Sequence, residues 1–258
     1  HDDMRRGRPS LHKSYQKLIK KNYGTKDCKH IGNSFAIIAG DICYAFANEI
    51  ITKTKISEKR KVHFSRYFNH IIHTVCYGEA LDVLSNIRKK NSIKDIEKIS
   101  RLKTSSYTIT GPLILGGILA GKKEKDMKIF ENIGNLLGEA FQIQDDILGL
   151  YGNEKKLGKP IGSDIEEGKK TLLINKALEK GSKDEKNFII SKLGKKPAKK
   201  DIEKIRDIVK KTSSLDYCKE RSHNLIKKSK NIIKKSRFKK EGKDFLLEIC
   251  DYMMEREF

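Results

Sequence analysis

The sequence predicts an all-α fold, and three observations support that prediction. Apolar residues recur at three- and four-residue steps over long stretches of the 258-residue chain, as they do on helices with one buried face. The chain has only 4 Pro and no Trp, and proline is the residue that most strongly breaks a helix. No segment shows the two-residue alternation of a half-buried strand. We therefore expect one helical domain covering residues 1–258.

The apolar pattern places the helices in chain order. The first predicted helices cover residues 34–52, 58–89 and 103–120. The clearest pattern follows at residues 127–148, where Phe130, Ile133, Leu137 and Phe141 recur at helical spacing. Shorter patterns predict helices at residues 171–179, 200–211, 215–233 and 245–255. The segment 151–170, between the predicted helices at 127–148 and 171–179, carries four glycines and Pro160. Because it is long for a helix connector, we interpret it as a candidate active-site loop.

The charge balance is strongly basic, with 56 Lys and Arg against 34 Asp and Glu and a net charge of +22. Such a balance could attract nucleic acid, an anionic membrane or a polyanionic small molecule. The lysines alternate with isoleucines and lack the interleaved aromatic residues of nucleic-acid-binding modules. We therefore expect no nucleic-acid partner.

Two further features bear on the cellular location. The apolar window at residues 109–121 is interrupted by Thr110, Gly111 and Pro112 and is shorter than the roughly 20 residues of a membrane helix, so we expect no transmembrane segment. The five cysteines are scattered without a Cys-x-x-Cys pair, which predicts neither a disulfide framework nor a zinc site. A reducing, cytoplasmic location is the expectation.

An acidic motif lies near the end of the clearest helix, where residues 141–149 read FQIQDDILG. Helical geometry places Gln142, Asp145 and Asp146 on one flank. Two adjacent carboxylates repel each other unless a cation neutralises them, and carboxylate oxygens are ligands that Mg²⁺ prefers. The alternative is a solvated pair of aspartates on a helix surface.

Basic residues occur in three places that could meet this motif. The 159–171 segment carries Lys159 and Lys169, and the start of the chain carries Arg5 and Arg6. Lys103 and Thr104, with Tyr107 a turn later, place a cation, a hydroxyl and a phenol on one predicted helix face. Acidic and basic groups together suit a metal-bridged diphosphate. For each basic residue taken alone, a solvated surface charge is the simpler interpretation.

Taken together, these motifs resemble the trans-isoprenyl diphosphate synthases of the polyprenyl synthetase family. The matching segments, in the family's order, are RRGRPS at 5–10, GD at 40–41, GEALD at 78–82, KT at 103–104 with Tyr107, GPL at 111–113, FQIQDD at 141–146, the 158–171 loop and YMMER at 252–256. They extend over essentially the whole chain. The second acidic region is most similar to archaeal geranylgeranyl and farnesyl diphosphate synthases.

The resemblance implies an all-α bundle around a central cavity, a homodimer and Mg²⁺ as cofactor. It implies condensation of isopentenyl diphosphate with an allylic diphosphate to give C15–C20 isoprenoid diphosphates. In such a reaction the allylic diphosphate ionises, isopentenyl diphosphate attacks the cation and a proton leaves. Metal ions and basic side chains stabilise the leaving diphosphate, and an apolar cavity excludes water.

The resemblance also implies roles for individual residues. Asp145 and Asp146 would be metal ligands. Arg5 and Lys103 would contact the allylic diphosphate, Arg6 the isopentenyl diphosphate, and Lys159 the leaving group. The reaction centre would be lined by Thr104 and Gln142, with Phe141 beside them, and Tyr107 and Lys169 would also contact substrate. The catalytic set is thus Lys103, Thr104, Gln142 and Lys159.

Three departures from the family pattern qualify this interpretation. Gly149 stands where the last aspartate of the second motif is often found, and Glu79 where glutamine is usual. The family's first acidic motif would end just before residue 1, so we expect an N-terminally truncated domain. We expect negligible condensation by the isolated chain and recovery when the upstream segment is supplied, possibly as a separate N-terminal fragment. The alternative function is a non-catalytic partner subunit of a synthase.

Overall fold

The computed structural model describes residues 3–5, 7–88, 91–154 and 160–255. The chain divides into two compact units, each of which is described separately below. The first unit comprises His1–Ser65 and Glu154–Lys159, and the second comprises Arg66–Asn153 and Pro160–Phe258. The expectation of a single domain stays a prediction.

The first unit begins with a short hairpin. Strands β1 (Met4–Arg5) and β2 (Arg8–Pro9) are antiparallel, with Met4 opposite Pro9. Gly7 in the turn has a φ of 73°, a conformation that is accessible to glycine at little cost. These two strands did not appear in the sequence pattern, because two residues are too few to show an alternation.

Two helices form the rest of the first unit. Helix α1 (Leu11–Tyr23) packs against helix α2 (Cys28–Lys53), and Gly24 ends α1 in a left-handed conformation. A Cβ at Gly32 would lie 2.5 Å from Gln16 Cγ, so glycine allows the two helices to approach closely. The sequence pattern missed α1 and placed the start of α2 six residues late.

Helix α2 is more apolar than the sequence analysis recognised. It is 26 residues long with a mean hydropathy of 1.4 in its most apolar window, only 6% of which is buried. By length and composition it could cross a membrane. This apolar window is longer than the one at residues 109–121 from which no transmembrane segment was expected. Length and composition alone do not establish a membrane span for a single helix of this kind.

Helix α3 (Glu58–Ile87) continues into the second unit. The second unit then contains α4 (Ile93–Ser100), a π-helix (Arg101–Thr110), α5 (Gly111–Leu119) and α6 (Glu124–Tyr151). The predicted helix at residues 103–120 is thus two helices of different type. Pro112 has no N–H to donate to residue 108, and the N–H of Gly111 donates to the carbonyl of Ser106, five residues back.

Six more helices of the second unit lie within the described residues. They are α7 (Ser163–Glu166), α8 (Leu172–Lys180), α9 (Lys183–Lys192), α10 (Lys199–Lys211), α11 (Ser214–Lys235) and α12 (Lys240–Glu255). The sequence pattern missed α4, α7 and α9, all ten residues or shorter. For α9 a signal was present, because Ser182 and Glu185 form a capping box.

The core of the second unit is built around α6. Ile133, Leu137, Ala140 and Ile147 on this helix are fully buried, and α6 packs against the π-helix and α11. The predicted all-α class is confirmed. Because α6 is fixed along its length, the polar residues at its C-terminal end are held in defined positions.

Candidate active site

A cavity of about 110 Å³ lies in the second unit, at the C-terminal end of α6. It is bordered by α3, α4, the π-helix, α6 and the segment around α7. Its lining residues include Asp82, Asn91, Ile96, Ile99, Ser100, Lys103, Thr104, Gln142, Asp146, Asp164, Lys169, Lys170 and Thr171. Five of the residues that the sequence predicted as site residues therefore meet here: Lys103, Thr104, Gln142, Asp146 and Lys169.

Glycines on two neighbouring helices hold the π-helix close to the cavity. A Cβ at Gly78 of α3 would lie 2.4 Å from the backbone nitrogen of Lys103, and a Cβ at Gly138 of α6 would lie 2.3 Å from Ser105 Oγ. Real Cβ atoms do not approach other heavy atoms so closely, so any larger residue would push the π-helix away. The positions of Lys103 and Thr104 thus depend on these glycines.

Lys103 is bound by two carboxylates of α3. Its Nζ lies 2.6 Å from Asp82 Oδ2 and 3.0 Å from Glu79 Oε2. Partial burial lowers the pKa of Lys103, but hydrogen bonds and charge interactions with Asp82 and Glu79 outweigh this effect and raise it above its ordinary value. Lys103 is therefore a permanently charged group on the cavity wall.

A hydrogen-bond chain joins the π-helix to the acidic motif. The hydroxyl of Thr104 donates to Gln142 Oε1 at 2.6 Å, and Gln142 Nε2 donates to Asp146 Oδ1 at 2.8 Å. Thr104 is buried. Because both groups of the Gln142 amide are used, its orientation is determined by its neighbours.

The carboxyl group of Asp146 resists ionisation. Burial raises its pKa to about 8, and the negative charges of Asp164 and Asp145 act in the same direction. The hydrogen bond from Gln142 and the charge of Lys169 act against this increase. A further cation in the cavity would reduce the repulsion among the three carboxylates.

Lys169 lies on the same wall as Asp164. Its Nζ is 3.2 Å from Asp164 Oδ1 and 2.6 Å from Glu167 Oε2. Partial burial opposes ionisation, but these carboxylates raise the pKa of Lys169 above its ordinary value. Lys170 donates to the backbone carbonyl of Arg88, which fixes the loop after α7 against the end of α3.

The donor set is compatible with Mg²⁺. Within residues 3–5, 7–88, 91–154 and 160–255, no three His, Cys, Asp or Glu side chains form a ready-made metal cluster. Magnesium commonly uses only one or two protein carboxylates and completes its shell with waters and substrate phosphates. Burial and the negative charge of Asp164 raise the pKa of Asp146, and a divalent cation bound to this carboxylate would favour its ionised form.

Other predicted residues lie outside this cavity. Tyr107 is 52% exposed and does not line it. Phe141 is partly buried against the core, and Asp145 is partly buried beside Asp146 without lining the cavity. Arg6, Lys159 and the side chain of Arg5 lie outside the described residues.

The cavity also contains polar residues that the sequence analysis did not select. Asp82 and Asp164 occur within the GEALD motif and the 158–171 loop. Because each is a carboxylate that could pair with a predicted site lysine, the sequence contained a signal for both. Asn91 and Ser100 gave no signal. Asn91 Oδ1 and Ser100 Oγ are buried and have no hydrogen-bond partner in the described part of the chain. Asn91 Oδ1 can accept a hydrogen bond from a bound molecule, and the Ser100 hydroxyl can donate or accept one.

Comparison with known sequences gives a consistent picture. The sequence profile of the family described as "Polyprenyl synthetase" matches residues 1–211. A geranylgeranyl diphosphate synthase of Sulfolobus acidocaldarius is 34% identical over 233 residues, which are 88% of this chain and 63% of the relative. A short chain isoprenyl diphosphate synthase of Methanocaldococcus jannaschii is 32% identical over 99% of this chain and 71% of its own length. The chain thus spans less than two thirds of the Sulfolobus relative.

The fold is shared with solved structures. A geranylgeranyl pyrophosphate synthase of Corynebacterium glutamicum, in complex with isoprenyl diphosphate and magnesium, superimposes with a TM-score of 0.93 at 27% identity. The superposition covers 99% of this chain and 72% of that protein. A geranylgeranyl pyrophosphate synthetase of Pyrococcus horikoshii gives a TM-score of 0.79 at 29% identity over 96% of this chain and 75% of that protein.

Proposed function

The chain belongs to the polyprenyl synthetase family, and from this premise we propose that it condenses isopentenyl diphosphate with an allylic diphosphate. The products would be short-chain (C15–C20) isoprenoid diphosphates. The observation that carries the proposal is the convergence of Lys103, Thr104, Gln142, Asp146 and Lys169 on one cavity. The names of the relatives support the reaction class.

The cavity offers three kinds of group to this reaction: cations, polar groups and apolar side chains. Lys103 and Lys169 supply positive charge to a bound diphosphate, because both remain protonated at neutral pH. Thr104 and Gln142 present oriented dipoles beside the reacting carbons. Ile96 and Ile99 form an apolar wall that excludes water from the allylic cation.

Asp145 and Asp146 are the proposed magnesium ligands. Bound Mg²⁺ would supply charge neutralisation of the diphosphate as the allylic carbon–oxygen bond breaks. Arg5, Arg6 and Lys159 would add further cations around the two diphosphates, and Phe141 and Tyr107 would contact the hydrocarbon or diphosphate portions of substrate. These five assignments rest on the family resemblance alone.

The test is incorporation of labelled isopentenyl diphosphate into longer prenyl products, with Mg²⁺ and dimethylallyl, geranyl or farnesyl diphosphate as primer. It is performed with the 258-residue chain and with the protein expressed from its complete reading frame. In the active form, K103Q and D146N should each lower kcat by about 100-fold or more, and exposed K183Q should not. Retention of activity in both variants would contradict the proposal.

The same assay addresses the alternative of a non-catalytic subunit. A scaffold would form no product in either form and would bind diphosphate without Mg²⁺ dependence. Magnesium-dependent binding of the allylic diphosphate that is lost in D146N supports the catalytic interpretation. We observe no feature that favours a scaffold.

We also propose a homodimer in which a second copy covers α2. The supporting feature is the exposure of large apolar residues along this helix, including Phe35, Ile38, Ile42, Phe46 and Ile50. A water-exposed apolar surface of this extent on a helix of 26 residues is characteristic of an interface. Two antiparallel or parallel copies of α2 would remove both surfaces from water.

Light scattering coupled to size exclusion tests the dimer. Ile38→Glu together with Phe46→Glu should convert a dimer to a monomer, and the exposed substitution Tyr23→Glu on α1 should not. A monomeric parent protein, or recovery of the parent only in detergent, would contradict the dimer.

A cytoplasmic location is proposed as well, supported by the five free thiols of the chain.

A further inference from the structure

Two basic segments meet at the end of the second unit where α6 begins. The rings of Phe130 on α6 and Phe238 between α11 and α12 stack with centroids 5.1 Å apart, which brings their flanking segments together. We call this surface the basic end. It consists of Lys122, Lys123, Lys125, Lys128, Lys234, Lys235, Arg237, Lys239 and Lys240, all of which are exposed. Only three carboxylates, Glu124, Asp126 and Glu241, lie within the same segments.

The three carboxylates offset only part of the positive charge of the basic end, because nine Lys and Arg residues against three Asp and Glu residues leave a net charge of +6. Other lysines of the second unit form ion pairs, such as Lys230 with Asp251 and Lys211 with Glu185. None of the nine residues of the basic end forms an ion pair with a carboxylate in the described part of the chain. Uncompensated charges of one sign create a potential that attracts a polyanionic surface.

The basic end is separate from the candidate active site. Lys128 and Asp145 are 17 positions apart on the same helix, which corresponds to roughly 26 Å at 1.5 Å per residue. The cavity at the other end of α6 has its own lysines. A role in binding the substrate diphosphates therefore does not account for these nine cations.

We propose that the basic end docks on an anionic lipid bilayer. Exposed apolar side chains lie close to the cations in the sequence: Leu119, three residues before Lys122, and Phe245, five residues after Lys240, which is 61% exposed. Cations with neighbouring apolar residues fit the headgroup boundary of a membrane. A nucleic-acid backbone would contact the cations in the same way, but it would leave the neighbouring apolar side chains exposed to water, so these side chains favour a bilayer. The inference goes beyond the proposed function and does not depend on it, although an amphiphilic prenyl diphosphate product would be released next to such a bilayer.

Co-sedimentation with vesicles tests the docking without any substrate. The probes are vesicles of phosphatidylcholine alone and vesicles in which roughly a third of the lipid is phosphatidylglycerol. The full chain should bind the anionic vesicles at low salt, and binding should be lost as the salt concentration approaches about 1 M. Equal binding to neutral vesicles, or no binding to either, would overturn the proposal.

Two matched variants locate the interaction. K123Q, K125Q, K239Q and K240Q together should weaken vesicle binding by about tenfold or more. K17Q, K20Q, K21Q and K26Q, which remove the same charge from exposed sites in the first unit, should change it less than about twofold. Circular dichroism confirms that both variants fold. An equal loss in both variants would indicate a general charge effect and contradict the assignment.

Competition separates a bilayer from nucleic acid. If duplex DNA displaces the protein from anionic vesicles and binds more tightly than they do, the basic end is a nucleic-acid surface and the proposal is wrong. Because the assay contains no prenyl substrate, its failure does not bear on the condensation reaction. An inactive protein that binds vesicles through the basic end would leave this inference intact.

Discussion

Gln142 donates a 2.8 Å hydrogen bond to a carboxylate oxygen of Asp146, one helical turn away on α6. The same amide accepts from Thr104 on the π-helix at 2.6 Å. A donor to a carboxylate stabilises its charged form, yet burial and the charge of Asp164 still raise the pKa of Asp146 to about 8. The acidic motif is therefore held in place by bonds that do not fully compensate its charge.

The raised pKa of Asp146 predicts an unusual pH dependence of stability. Its pKa is about 8 in the folded protein against 3.8 for the free group, so the folded state holds a proton that the unfolded state loses between these values. The contribution of this group to the free energy of unfolding is thus greatest below about pH 4 and is lost as the pH rises through about 8.

Chemical denaturation in the presence of EDTA measures this effect. The stability of D146N relative to the parent protein should increase by a few kcal/mol from about pH 4 to pH 8, because asparagine does not titrate. Added Mg²⁺ should reduce the difference at pH 8. A stability difference that is constant over this range would show that Asp146 ionises normally.

Because Lys103 forms an ion pair with Asp82, substitutions at these two residues should affect the stability and the activity of the protein differently. Replacing Lys103 by Met leaves the Asp82 side chain, which is only 17% exposed, without its partner. We expect the free energy of unfolding to fall by about 1–3 kcal/mol. The double variant K103M/D82N should recover at least half of that loss.

Condensation activity should depend on the presence of Lys103 and not on the free energy of unfolding of the variant. Both K103M and the double variant should be equally inactive, because neither provides a cation to the diphosphate. Thermal denaturation and the labelled assay on the same preparations test this. Recovery of activity in the double variant would mean that Lys103 has only a structural role.

The close packing of Gly78 and Gly138 against the π-helix predicts that no larger residue is tolerated at these two positions. Gly138→Ala would place a Cβ 2.3 Å from Ser105 Oγ, and we expect it to cost about 1–3 kcal/mol. Because Ser105 is adjacent to Thr104, kcat should fall as well. The control is Gly116→Ala on α5, where no atom outside the adjoining backbone of the helix lies within 4 Å of the added Cβ. It should stabilise the protein by about 0.5–1 kcal/mol, and an equal effect of both substitutions would contradict the close packing.

Helix identity and the acidic motif were accessible from the sequence because both follow local rules. The apolar spacing on α6 and the Asp145-Asp146 pair need no tertiary information. The π-helix was not accessible, since its register depends on Pro112 and on contacts with Gly78 and Gly138 from distant segments. The pairing of Lys103 with Asp82 spans 21 residues and likewise required the packed structure.

The contacts made by individual cavity residues were also not predictable from the sequence. Glu79 was visible only as a departure from a family pattern, and its 3.0 Å contact with Lys103 gives it a structural reason. Asn91 and Ser100 belong to no motif, and only the folded chain brings them to the cavity. The exposure of α2 also depends on which helices pack against it, which periodicity does not reveal.

Arg221 provides a prediction that is independent of the candidate active site. Its guanidinium donates to Glu139 at 2.6 and 2.9 Å and to Glu97 at 2.5 Å, joining α11 to α6 and α4. Arg221→Met leaves both carboxylates without this partner, so we expect the free energy of unfolding to fall by about 1–3 kcal/mol. Arg221→Lys should recover only part of the loss, because one ammonium group cannot reproduce the planar fork.

The measurement is urea denaturation of the two variants, with kcat determined well below the unfolding transition. Since Arg221 does not line the cavity, kcat should be close to that of the parent protein under these conditions. High salt should reduce the stability difference only partly, because the three side chains are at most 34% exposed. A lysine variant as stable as the parent would show that charge alone, and not the forked geometry of arginine, joins the three helices.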